Sequence, residues 1–322
     1  MREFFEKIEN QYILVIGDVM IDAYLWGDVN RISPEAPVPV VSVTKREDRL
    51  GGAANVALNL KSLGAHPIVC SVLGKDEGGD SFFNLMELAD LSTEGLLVSP
   101  FRKTTKKNRV ISGGQQLLRV DEEQSYPLAN EIEDLLINRI NEVIRKFDIS
   151  AIIFEDYDKG VISDKIIQHI TTLATEKNIP ISVDPKKRNY NNYKNITLFK
   201  PNFKEFVEGG KLNISKSDTQ AIFNEAQKIM NKRNIKYFFV TLSEQGVFIC
   251  DKEKYQLIPA ELRQIADVSG AGDTVISIAT LLLSQGLDMK TIASISNTAG
   301  GIVCEKIGVV PIQKEELLNI SL

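Results

Sequence analysis

YILVIGDVMID, residues 12–22, decides the fold class. Four aliphatic residues in a row, Ile13 to Ile16, show no alternation with polar residues and stop at Gly17. A strand of that kind is buried on both faces, which happens where helices cover a parallel sheet on either side. Asp18 and Asp22 follow at the strand's carboxyl end, where open α/β sheets bind their ligands, and carboxylates there can accept from ligand hydroxyls. The plain alternative for Asp18 is a turn cap.

Outward from this strand, similar apolar runs occur at 67–73, 151–155, 180–184, 196–200 and 236–242. Between them the period changes to that of a helix. In 129–147, Ile132, Leu135, Leu136, Ile140, Val143, Ile144 and Phe147 fall on one predicted stripe, and 163–177, 215–232, 270–284 and 288–305 read the same way. The alternation predicts α/β architecture with a mostly parallel sheet flanked by helices. Two stretches break the rhythm. Residues 21–46 and 104–121 read as antiparallel hairpins, the second turning at Gly113-Gly114, a dipeptide suited to the positive φ of a two-residue turn. The expectation is one domain over 1–322 with a small β lid built from these insertions.

Composition narrows the function classes. A net charge of -5 and a pI near 5.4 argue against a nucleic-acid partner, which would need a basic face. Cys70, Cys250 and Cys304 are widely spaced in apolar company and read as reduced core thiols. The charged start from Met1 to Lys7 does not resemble a signal peptide, and no apolar run reaches a membrane span, so the location expected is the cytoplasm. His66 and His169 lack a second histidine or a carboxylate pattern beside them and read as structural or exposed.

The chemistry concentrates in Asp267-Val268-Ser269-Gly270-Ala271-Gly272-Asp273-Thr274, followed by the apolar helical run 275–283. Small residues 270–272 let backbone N–H groups at a helix N-terminus approach an anion, and the helix dipole adds favourable potential. Asp273 beside that hole is placed to take a proton from an attacking hydroxyl, or, on the plain reading, to cap the helix. Gly51-Gly52-Ala53-Ala54-Asn55-Val56-Ala57 also opens a helix after a strand. It reads as backbone approach to a ligand with Asn55 as donor and acceptor, or as close helix–strand packing.

Together the two segments resemble the paired signatures of the ribokinase or PfkB sugar-kinase family, over essentially the whole chain. The resemblance implies a ribokinase-like fold and ATP-dependent phosphorylation of a sugar. It makes Asp273 the catalytic base, Gly270, Ala271 and Gly272 the anion hole, and Gly51, Gly52 and Asn55 part of the sugar site. ATP and magnesium are the implied cofactors, with room for a monovalent cation. Ile278 departs from the small residue common in the family and bears on packing.

Further segments resemble, more narrowly, the family's heptose 7-phosphate kinases: 17–22, 31–40 (RISPEAPVPV), 115–121 (QQLLRVD), 156–160 (DYDKG), 184–186 (DPK), 201–205 (PNFKE) and 243–246 (SEQG). That likeness implies phosphorylation of D-glycero-D-manno-heptose 7-phosphate at its anomeric hydroxyl. It adds Asp18, Asp22, Gln116, Arg119, Asp156 and Lys159 to the substrate site, and the phosphate that such a substrate already carries makes Arg109, Arg119, Lys159 and Lys186 its candidate cationic partners. It assigns Asn202, Phe203, Lys204, Glu205, Lys186, Thr241, Ser243, Gly246 and Asn297 to the nucleotide, with Glu205 reaching magnesium through water. The basic residues Arg102, Lys103, Lys106, Lys107 and Arg109 read as a solvated lid edge or as partners for a substrate phosphate. The lid is expected to pair two copies of the chain as a homodimer. The His-x-Gly-His motif of the nucleotidyltransferases fused to some heptose kinases is absent, so adenylyl transfer is expected of another protein. Competing readings are a kinase of fructose or ribose and a noncatalytic nucleotide or sugar sensor.

Overall fold

The computed structural model describes residues 2–318; residue 1 and residues 319–322, the outer ends of the expected 1–322 unit, lie outside the described residues. After helix α1 (Arg2–Ile8) come β1 (Tyr12–Gly17), a long hairpin of β2 (Val19–Ile32) and β3 (Pro39–Gly52), α2 (Ala53–Ser62), β4 (His66–Gly74), α3 (Glu77–Leu88) and β5 (Leu96–Ser99). A second hairpin, β6 (Thr105–Ser112) and β7 (Gln115–Glu122), precedes α4 (Asn130–Lys146), β8 (Ile149–Glu155), α5 (Asp164–Glu176), β9 (Ile181–Asp184) and β10 (Leu198–Phe199). The chain continues through α6 (Phe203–Gly210), α7 (Thr219–Arg233), β11 (Tyr237–Thr241), β12 (Val247–Cys250) and β13 (Tyr255–Ile258). It closes with α8 (Ala271–Ser284), α9 (Met289–Val303) and α10 (Lys314–Leu318).

The main sheet has nine strands in the order β13-β12-β11-β10-β9-β8-β1-β4-β5. Pairings from β5 across to β11 are parallel, while β12 and β13 return antiparallel at one edge. Strand alternation sends Ile13, Val15, Ala151 and Ile153 into a core with α2, α8 and α9, and Leu14, Ile16, Ile152 and Phe154 into a second core with α4, α5 and α7. That two-sided burial is what the unbroken apolar run of β1 required.

The sequence did not disclose β5, α3 or the β12–β13 edge, whose strands are four residues each. Strand 196–200 shrinks to Leu198–Phe199. Helix α7 starts at Thr219 rather than 215, because the Asp218 side chain accepts from Ala221 N at 2.9 Å and caps it there. Leu135, placed on the buried stripe of α4, is 54% exposed.

Segments 21–46 and 104–121 both lie in a separate four-stranded sheet, β3-β2-β6-β7. Each hairpin is antiparallel within itself, but β2 and β6 run parallel where the two meet. Gly113 and Gly114 have φ of 57° and 77°, as the two-residue turn demands. This sheet leaves β1 at Gly17-Asp18 and re-enters at Gly51-Gly52, so it stands over the carboxyl edge of the main sheet.

Asn59 on α2 ties three parts of the chain together from full burial. Its Oδ1 accepts from Thr274 Oγ1 at 2.9 Å and from Ile312 N at 3.1 Å, while Nδ2 donates to the Asn55 carbonyl at 2.9 Å. Asn59→Ala would orphan the buried Ile312 N–H and leave the Thr274 hydroxyl only its 3.3 Å bond to the Gly270 carbonyl, so stability in urea unfolding is expected to drop by about 2–4 kcal/mol. A loss below about 0.5 kcal/mol would contradict the role given to this bridge.

Candidate active site

Strand register builds the floor of the site. In the pairing of β1, β8 and β9, Gly17 lies opposite Glu155, and Glu155 opposite Asp184. Lys200 follows β10 one position beyond Phe199, which pairs with Val183. By alternation all four face α8, forming a polar row where the apolar strands end. Gly17 is needed there for space, since a Cβ would lie 2.1 Å from the Glu155 carbonyl oxygen.

Over this row sits the N-terminus of α8. Gly270 is its N-cap with φ of 80°, and no side chain caps the helix. No serine or aspartate side chain takes up the first N–H groups; that of Ala271 donates to the Val268 carbonyl at 3.3 Å. Asp273, in the first turn, is 4% exposed. Its Oδ2 accepts from Asn55 Nδ2 at 2.7 Å and its Oδ1 from the Tyr157 hydroxyl at 2.7 Å. Burial raises its pKa to about 6, against the pull of those two donors. A carboxylate so poised is ionised at neutral pH yet basic enough to take a proton.

Two ammonium groups converge on Asp184. Lys200 Nζ lies 2.6 Å from Oδ2 and Lys186 Nζ 3.5 Å from Oδ1. Burial opposes ionisation of Asp184, but the two cations outweigh it and hold the carboxyl below its ordinary value. Lys186 also pairs with Glu205 Oε1 at 2.5 Å, and despite burial its ammonium is held firmly protonated. Glu155 has no such help. It is fully buried, both carboxyl oxygens lack a partner among the described residues, and burial with Asp184 nearby pushes it well up, so it stays neutral.

The loop after β8 brings in residues that the sequence reading quoted without assigning. Asp18 is its anchor: Oδ2 accepts from the N–H groups of Tyr157 at 2.9 Å and Lys159 at 3.0 Å, and Oδ1 from Val161 at 3.0 Å. Asp18 was expected to bind a hydroxyl; in the structure it holds the loop, with Arg102 3.9 Å away. Asp156 is likewise engaged internally, accepting from Tyr193 Oη and Asn189 Nδ2 at 2.9 Å each, and burial raises it to about 6.

At the base of the four-stranded sheet, Asp22 pairs with Arg109, which also stacks on Tyr24 with its guanidinium carbon 5.5 Å from the ring centroid. Arg102, whose side chain is 7% exposed, donates to the Lys159 carbonyl but leaves Nη1 without a partner among the described residues. Lys159 reaches Glu123 at 2.8 Å. Lys107 stands over the Tyr157 ring at 5.3 Å; burial lowers its proton affinity, and Lys159 and Arg109 add to that effect. Gln116 and Arg119 lie on exposed β7, where Arg119 pairs with Asp121 at 2.9 Å, so the fold does not bring these two into the group.

The nucleotide candidates line the other side. Asn202 and Glu205 form a capping box on α6, Asn202 Oδ1 accepting from Glu205 N and Glu205 Oε2 from Asn202 N, both at 2.8 Å. Asn202 bridges to Thr241 across the strand ends. Phe203 packs on the core and Lys204 points outward at 82% side-chain exposure, so neither is presented as a ligand. Ser243 and Gly246 form the turn after β11, and Asn297 donates to the Pro259 carbonyl at 2.8 Å. Among the described residues no three His, Cys, Asp or Glu side chains are grouped to hold a metal ion.

Sequence reasoning missed Tyr157, Asp184, Lys200 and Glu155 as site residues. The signal available was positional: Glu155, Asp184 and Lys200 each stand at or just past the end of an apolar strand, where a charge has no core reason to be. Both histidines are exposed, and all three cysteines are free and buried.

A family model described as pfkB family carbohydrate kinase matches residues 10–315. Curated relatives include the bifunctional protein HldE of Methylobacillus flagellatus, 39% identical over 324 residues that cover 98% of this chain and 66% of that protein. The bifunctional protein HldE of Campylobacter curvus is 40% identical over 306 residues, covering 94% and 63%. The chain thus spans just under two thirds of the length of these relatives. Among solved structures, phosphofructokinase-2 from Escherichia coli in complex with potassium superposes with a TM-score of 0.79 at 20% identity, covering 97% of each chain. Arabidopsis thaliana ribokinase complexed with ribose and ATP gives 0.72 at 15% identity, over 97% of this chain and 99% of that one. At such identities the likeness carries the fold, a mostly parallel sheet flanked by helices.

Proposed function

The chain belongs to the pfkB family of carbohydrate kinases, and from that premise we propose that it transfers the γ-phosphoryl group of ATP to the anomeric hydroxyl of D-glycero-D-manno-heptose 7-phosphate, giving the 1,7-bisphosphate. The observation that carries this reading is Asp273, buried at the uncapped N-terminus of α8 with a pKa near 6. Asp273 takes the hydroxyl proton as the oxygen attacks phosphorus, and the N–H groups of Gly270, Ala271 and Gly272 meet the charge that develops on the phosphoryl oxygens. Gly51, Gly52 and Asn55 border the sugar on the α2 side.

The nucleotide lies along Lys186, Asn202, Thr241, Ser243, Gly246 and Asn297. Magnesium fits as a hard cation that arrives on the ATP phosphates and keeps most of its waters, supplying charge neutralisation there. Glu205 is placed to accept from one of those waters, although Lys186 and Asn202 already engage its two oxygens. We place the reaction in the cytoplasm; among the described residues no helix is long and apolar enough to cross a membrane.

The heptose phosphate assignment draws on likeness to bifunctional relatives and on the cations at the base of the four-stranded sheet. Lys107 and Arg102 are part-buried, and Arg102 Nη1 has no partner among the described residues, a capacity that a substrate phosphate remote from the reacting hydroxyl would meet. Binding energy from that phosphate can orient the anomeric oxygen against Asp273. The specificity constant for heptose 7-phosphate is therefore expected to exceed those for fructose, ribose and fructose 6-phosphate by at least about a hundredfold. Equal use of any of those three would remove the heptose assignment and leave the sugar kinase.

The four-stranded sheet is also where we place contact between two copies of the chain. Ile32, Leu118 and Val120 are between 49% and 60% exposed on it, and β7 is an open edge. Light scattering is expected to report twice the chain mass, and Leu118→Glu with Val120→Glu to return it to one. A wild-type monomer would contradict the pairing.

A further inference from the structure

Tyr157 carries no role in the proposed reaction, yet it touches Asp18, Lys107, Lys186 and Asp273. Its N–H is fixed to Asp18, its ring lies beneath the ammonium of Lys107 at 5.3 Å and that of Lys186 at 5.4 Å, and its hydroxyl donates to Asp273 Oδ1 at 2.7 Å. Lys107 comes from the four-stranded sheet and Lys186 from the loop after β9, so this one side chain meets the lid side and the nucleotide side through its ring and the proposed base through its hydroxyl.

We propose that Tyr157 is the positioning residue of the base: its hydroxyl on Oδ1, with the Asn55 amide on Oδ2, fixes the plane of the Asp273 carboxylate and keeps it ionised, leaving one free lone pair on each oxygen for the acceptor hydroxyl. This rests on the reading of Asp273 as the base. Each carboxylate oxygen accepts two hydrogen bonds, so the two donors orient the group without blocking it. Burial and the adjacent Asp273 raise the phenol well above its ordinary value, which keeps it a neutral donor.

The other charges around Asp273 come from every element packed on it. Asp184 on β9 disfavours its ionisation, Lys200 after β10 favours it, Glu155 on β8 lies close by as a neutral acid, and Lys186 acts chiefly on Asp184. None of these touches the carboxylate in the way Tyr157 and Asn55 do. A packing role would need only the ring, and Tyr157→Phe retains the ring under both lysines. The hydroxyl is the part under test.

The experiment is an infrared pH titration of the carboxylic-acid carbonyl stretch in the ligand-free protein, with Asp273→Asn used to assign the band. Wild type is expected to titrate near 6. Tyr157→Phe is expected to move that midpoint up by about 1 unit, because a donor to a charged acceptor stabilises the ionised form by that order. With ATP and heptose 7-phosphate, the acid limb of kcat should move up in parallel and the plateau fall by roughly tenfold, the cost of a less well held base. An unmoved midpoint in a folded Tyr157→Phe protein overturns the proposal. A shifted midpoint accompanied by full turnover in Asp273→Asn overturns it through its premise, which separates the two failures.

Discussion

The carboxyl edge of the main sheet is governed by one constraint: a carboxylate cannot be buried without compensation. An isolated buried ion costs several kcal/mol even after the protein relaxes, whereas each hydrogen bond to it returns roughly 1.5–3 kcal/mol. Asp18 meets the requirement with three backbone N–H groups, Asp22 with a guanidinium, and Asp184 with two ammonium groups. Glu155 has no partner among the described residues, and burial pushes its carboxyl well above the ordinary range. Asp273 falls between these cases. Two donors hold it, yet burial still leaves it near 6, so it is ionised at neutral pH and ready to accept a proton from an attacking hydroxyl.

Supporting that arrangement takes the whole fold. Parallel strands end together, so their last side chains form a row, and helices on both faces keep the row dry. No capping side chain stands between the N-terminus of α8 and the row. The four-stranded sheet then enters and leaves through Gly17-Asp18 and Gly51-Gly52, which puts its basic residues above the same edge. Gly51 has no room for a side chain, since a Cβ would lie 2.2 Å from Asp22 Oδ2.

Local signals made much of this legible in the sequence. Buried-strand runs, helix stripes and the Gly113-Gly114 turn are properties of short windows, and the structure has them where the windows fall. Four-residue strands such as β12 and β13 carry too few residues for a periodicity to declare itself. Helix α3 begins Glu-Gly-Gly-Asp, in which the glycines and the aspartate are poor helix formers, and it starts there with Asp76 as its cap. At the site, Asp273 and Asn55 stood out because small residues surround them. Asp184, Lys200 and Tyr157 did not, because what brings them together is cross-strand register and a loop tied to Asp18. Arg119 and Gln116 were named from a run of sequence, and an exposed edge strand carries them away from the group. Leu135 shows the limit of a periodic reading: one residue off the true stripe is enough to face solvent.

The most direct test of Asp273 as the base is single-turnover phosphoryl transfer by Asp273→Asn, measured beside its ATP affinity. The substitution keeps the shape of the side chain and removes its ability to take the proton. ATP binding is expected to stay within about threefold of wild type while the transfer step slows by about 10²–10⁴-fold, the usual contribution of a positioned general base. Transfer at a near-wild-type rate by a folded Asp273→Asn protein would contradict the account.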